Sequence, residues 1–179
     1  DYIGALAKNL EISVNDTEES VIADFMSGIN IDGLRANIVA LLQGGKTDKE
    51  RAEKLEHILS ANLNPSEYTL YTEVFLTQKG TLRKQADKKS EAADSLVTER
   101  MTQEGERVLQ NEDKIHRTRL FNATKAVFVI AGELTKRYNN FKKQHSRLDY
   151  EDLILITRNL LADDSAASWV LFKLDGGID

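Results

Sequence analysis

Across 179 residues the chain holds one proline, Pro65. Proline removes a backbone donor and breaks helix interiors, so a chain this poor in it, with few β-branched runs, is free to be helical nearly throughout. Helix start signals recur at workable intervals. Asp16 stands three residues before Glu19, Thr47 three before Glu50, and Asn64 is followed by Pro65 and Glu67. In each, the first side chain can accept from an orphan N–H while the acid reaches back, and proline suits the first helical position. This spacing predicts helices near 2–10, 17–27, 31–42, 48–60 and 65–72, gathered into one small bundle.

Val74, Phe75, Leu76 and Thr77, then Lys79, Gly80, Thr81 and Leu82, break the helical period, which predicts a short β-hairpin or extended loop near 74–82. From Ser90 to Gln144 the chain is again proline-free and helix-prone, with Gly105 the expected break. Leu120, Thr124, Val127, Ala131, Leu134, Tyr138 and Phe141 alternate in steps of four and three, a heptad-like seam. A helix over 113–143 would run about 46 Å at 1.5 Å per residue. The expected fold class is mainly all-α: a helical bundle with one long helix.

A hydrophobic content of 41% with 30% charged residues suits an ordinary globular chain. No apolar run nears the roughly 20 residues that span a bilayer, and Asp1–Leu10 lacks the pattern of an export signal. Zero cysteines exclude disulfides and cysteine metal sites, which suits a cytoplasmic protein. The net charge is −5, unevenly spread. Residues 114–147 carry nine basic and one acidic side chain, while 148–179 carry two and seven. Such asymmetry marks a surface that faces a polyanion or, equally, a basic helix against an acidic neighbour.

Catalytic motifs are wanting. Gly44, Gly45, Lys46 and Thr47 mimic the end of a phosphate-binding loop, but Ala40 stands where the first glycine belongs and a helix, not a strand, precedes it. A glycine helix end followed by an N-capping threonine explains the string. His57, His116 and His145 never pair at metal-ligand spacing, and there is no nucleophile elbow. Asp163 and Asp164 before Ser165 read as a helix N-cap.

Leu148, Asp149, Tyr150, Asp152 and Leu153 open an amphipathic helix, with Asp149 and Asp152 in capping-box register. The same string resembles the L-D-F/Y-x-D-L segment of UvrD, Rep and PcrA type superfamily 1 DNA helicases. The run from Asp164 to Asp179, with Trp169, Val170, Lys173, Leu174, Asp175, Gly176 and Gly177, is similar to one in the alphaproteobacterial AddA helicase-nuclease subunits, where the Walker B strand follows it. Phe75, Leu76, Thr77, Gly80, Arg83 and Lys84, and the stretch from Gly45 to Ala52, resemble two further elements of that family. The similarity covers most of 35–179; residues 1–34 and 90–115 match loosely.

The resemblance implies that 1–145 is the helical insertion called domain 1B and 146–179 the return into motor domain 1A. Beginning at Asp1 and ending at Asp179, the chain reads as a segment of a longer protein. Its parent would be an ATP-dependent helicase and nuclease of double-strand-break repair and recombination, binding ATP and Mg elsewhere; this segment, without Walker A or Walker B, would hold no cofactor and be inactive alone. Its partners would be DNA, held weakly and without sequence preference, the rest of the motor, and an AddB-like subunit. The expected phosphate contacts are Arg83, Lys84, Lys88 and Lys89 after the hairpin and Arg117, Arg119 and Lys125 on the long helix. The rival reading is a free-standing helical interaction module whose seam recruits a partner helix, with no DNA role.

Overall fold

A computed structural model describes residues 2–84, 86–162, 168–170 and 172–173. The chain is helical: α1 (Tyr2–Asn9), α2 (Glu18–Ser27), α3 (Ile31–Leu41), α4 (Lys46–Ser60), a 3-10 turn (Pro65–Glu67), α5 (Tyr68–Phe75), α6 (Lys88–Ala93), α7 (Val97–Gln144) and α8 (Tyr150–Ala162). Ser168–Val170, Phe172 and Lys173 are helical as well. The reading of Asp163 and Asp164 as an N-cap, and the end of the AddA-like run at Leu174–Asp179, lie outside the described residues.

Local signals set most of the helix starts, some of them one residue from the expected place. Thr17, in extended conformation, caps α2: its side chain accepts from the Ser20 amide, and the Ser20 hydroxyl accepts from the Thr17 amide. Asp16, expected in that role, instead accepts from the Ser13 amide in the preceding turn. Asn64 caps the 3-10 turn through the Ser66 amide, with Pro65 in the first position. Thr47 is not a cap. Helix α4 starts at Lys46 with Gly45 before it, and the Asp87 carboxylate reaches across to accept from the Gly45 amide at 2.6 Å.

The expected hairpin is a single antiparallel bridge, Leu76 to Leu82. Val74 and Phe75 belong to α5, and the turn closes with Gly80 at φ +72°, a conformation that favours glycine. Gly105 is no break. It is buried within α7 beside Met101 and Val108, where packing overrides its poor propensity. The chain breaks instead at Asp94, whose side chain accepts from the Leu96 amide and binds Arg100, so that α6 and α7 are separate helices.

The structure divides into two units, 1–126 and 127–179, with α7 contributing to both. In the first, Phe25 and Met26 of α2, Leu34, Ile38 and Leu41 of α3, Leu55 and Ile58 of α4, and Tyr71, Val74 and Phe75 of α5 form one core with Val97, Met101, Val108 and Ile115 of α7. Rings Phe25, Tyr68 and Tyr71 meet edge to face. In the second, none of the described residues of α8 is buried. Asp149 and Asp152 form a reciprocal cap at its start, each carboxylate accepting from the other's amide at 2.8 and 3.0 Å. Lys142 donates to both carboxylates. No described helix is long and apolar enough to cross a membrane.

Candidate nucleic-acid interface

The lysines after the turn are placed by a buried polar cluster. Asp48 and Arg51, on the first two turns of α4, form an ion pair whose side chains are 7% and 6% exposed. The Arg51 guanidinium also donates to the carbonyls of Val74 at 2.9 Å and Lys84 at 3.3 Å, and so fixes the backbone that carries Lys84. Burial pushes the Arg51 pKa below its ordinary value, against the pull of Asp48. Asp48 accepts in turn from the Asp87 amide and the Ser90 hydroxyl, at 2.9 and 2.7 Å.

Asp87 then starts α6. One carboxylate oxygen accepts from the Lys89 and Ser90 amides, and the other takes the Gly45 amide. The amide bonds from Ser90 and Gly45 hold its pKa below the usual carboxylate range. The loop that mimics a phosphate cradle is therefore closed by a carboxylate of the same chain. Gly44 is required there: a Cβ on it would lie 2.8 Å from Asp48 Cβ and collide with Ser90 Oγ.

Of the seven cations expected to touch phosphate, three stand exposed within six residues of one another in the chain. Lys84, Lys88 and Lys89 are exposed and make no ion pair among the described residues. Lys46 joins them, 92% exposed and only loosely paired with Glu50 at 3.8 Å. It follows Gly45 as Lys88 follows Asp87, so the 2.6 Å bond from the Gly45 amide to the Asp87 carboxylate ties the two segments that carry them. Sequence separation concealed this, since the two contacting residues are 42 apart.

The other cations are engaged. Half-buried Arg83 donates through Nε to the Leu76 carbonyl at 2.6 Å and stiffens the turn. Arg117 binds the Leu10 carbonyl, Glu11 and Asp113, while Arg119 holds Glu18 at the start of α2. The hydrogen bond from Arg119 lowers the Glu18 pKa. Lys125 lies 5.9 Å from the centre of the Phe121 ring.

Leu148, Tyr150 and Leu153 of the helicase-like string are exposed. Its Asp149 and Asp152 serve the capping box and Lys142, and the amide of Asp152, followed by Lys142, pulls the Asp149 pKa down to about 2. The seam on α7 is uncovered: Leu120, Val127, Leu134, Tyr138 and Phe141 are each at least half exposed. Among the described residues no group of three or more potential ligands gathers for a metal ion. No protein-family model, curated protein or solved structure matches the chain.

Proposed function

We propose that this chain is a non-catalytic, DNA-contacting helical module of an ATP-driven superfamily 1 helicase, of the AddA type. The observation that carries the reading is the exposed group of Lys46, Lys84, Lys88 and Lys89, held in place by a buried Arg51–Asp48 pair in an otherwise acidic chain. Point charges on flexible stems suit phosphate contact and counterion release, which read no sequence. Arg117 and Arg119 are reserves. The exposed pair of Arg119 with Glu18 is worth about 0–1 kcal/mol, so a phosphate can take over from that carboxylate at little cost, while half-buried Arg117 is also tied to the Leu10 carbonyl.

The second unit supports membership of a larger assembly. Val127, Phe128, Val129 and Ile130 occupy four consecutive helical positions and are each more than half exposed. A helix apolar on every side belongs in a core. A single partner helix on the seam would leave Phe128, Val129 and Ile130 bare, which weighs against the free-standing module. The reading is tested by fluorescence anisotropy of a labelled single-stranded oligonucleotide titrated with the chain, with and without ATP. It expects a Kd of about 10⁻⁴ to 10⁻⁶ M at physiological salt, indifferent to base sequence and to ATP. Absence of binding at low salt would remove it.

A further inference from the structure

A cavity of about 270 Å³ opens in the first unit, where the start of α3, Tyr71 of α5 and one face of α7 meet. Its polar lining includes Asn30, Asn37, Arg100, Glu104 and Arg107, with Tyr71 and with Gln103, whose amide donates outward to Glu99. At roughly 30 Å³ per water it has room for about nine waters, enough for a phosphate and part of the group it esterifies.

The polar atoms are unequally satisfied. Glu104 is spent: it accepts the Tyr71 hydroxyl at 2.5 Å and binds Arg107 through both oxygens. Its charge is thus matched within the cavity. The donors are in surplus. Arg107, its guanidinium 3.9 Å from the centre of the Phe25 ring, also donates to the Phe25 carbonyl and lies against the Tyr71 hydroxyl, which leaves at most two of its five N–H groups open among the described residues. Arg100 gives Nε to the Asn37 carbonyl oxygen at 2.7 Å and one NH2 hydrogen to Asp94, leaving three without a partner among the described residues. Asn37 is only 3% exposed, and its amide NH2 donates to no described protein atom. Stacking, carboxylates and carbonyls fix these groups before any ligand arrives, and Arg100, Arg107 and Asn37 all line the one cavity.

With Glu104 answering Arg107 and Asp94 answering Arg100 the charges balance, so the ligand is selected by the open donors: a surplus of fixed donors calls for a ligand that is all acceptor, and a phosphate presents only acceptors to a guanidinium fork. We propose that this cavity binds a phosphate group through Arg100, Arg107 and Asn37, at a site separate from the lysine group. The site does not depend on the helicase reading.

The test follows the arginine Nε–Hε resonances of the ¹⁵N-labelled chain during titration with inorganic phosphate, with sodium chloride at equal ionic strength as control. Saturable shifts at Arg100 and Arg107, absent with chloride, are expected. Arg100→Gln should abolish them. Because that change also loosens Asn37 and Asp94, Asn30→Asp serves as the second variant: aspartate caps α3 as well as asparagine does, and adds a negative charge to the lining. It should weaken phosphate binding about tenfold with helicity unchanged. Shifts reproduced by chloride, or unaltered by Asn30→Asp, overturn the proposal.

A second titration with an unphosphorylated single-stranded oligonucleotide identifies the source. Movement of the same resonances assigns a backbone phosphodiester to the cavity; movement with inorganic phosphate alone assigns a free ester. Lys84→Glu/Lys88→Glu/Lys89→Glu should lose oligonucleotide affinity at the lysine group and keep the inorganic phosphate shifts, so a failure of the DNA reading is distinct from a failure here.

Discussion

Arg51 is the residue on which the lysine segment depends, and its burial makes that dependence measurable. Its guanidinium joins α4, the end of α5 and the Lys84 carbonyl, while Asp48 leads on to Asp87 and Ser90. Removing one partner of a buried pair leaves a charge that neither water nor protein compensates, so Arg51→Met should cost about 3–5 kcal/mol in urea unfolding. A loss under 1 kcal/mol would show the pair to be solvated. Asp149 makes a prediction in pH. Its folded pKa, about 2, lies below the ordinary carboxylate value, so its contribution is present above about pH 4 and is lost as pH falls through 2. Carboxyl NMR should show Asp149 titrating near 2 and the Asp152 amide losing exchange protection over that range. A midpoint near 4 would break the account of the cap.

Between elements, the junction of α4 with α6 shows what sequence could and could not disclose. The helices over 1–75 were legible because capping residues and apolar spacing are local, and local geometry was enough to start them at or near the expected residues. The buried face of α7 from Val97 to Phe121 is less legible than the seam further along, and only tertiary packing reveals that Gly105 is covered and not a break. The site was half legible. Cations are visible in a sequence, and so is Asp113 one turn before Arg117, but Glu11 and Glu18, which also engage Arg117 and Arg119, lie 106 and 101 residues away. Nor could Lys46 be tied to Lys88 before Gly45 was seen against Asp87. That junction leaves no space for a side chain. Gly44→Ala should overpack it and destabilise the chain by about 1–3 kcal/mol in thermal melts, with more frequent opening of the Asp87–Ser90 amides in hydrogen exchange. An unchanged melting temperature would mean that the loop and α6 move apart without cost.

For the molecule as a whole, the two units differ in what they bury. The first encloses a core, whereas the second leaves Phe128, Ile130, Leu134, Ile154 and Trp169 at least half exposed. Exposed apolar patches beyond a few hundred Å² are uncommon on monomers, so the isolated chain should self-associate through the second unit. Sedimentation velocity should show mass rising with concentration, Trp169 becoming less open to iodide, and Val129→Glu/Ile130→Glu returning the monomer. A wild-type monomer at high concentration would contradict this. The proposed role in DNA contact is tested most directly by the salt dependence of binding. Plotted as log affinity against log salt, Lys84→Glu/Lys88→Glu/Lys89→Glu should flatten the slope for single-stranded DNA by about 2, near 0.7 for each of three lost phosphate contacts. An unchanged slope, in a variant that keeps its fold, would contradict the account.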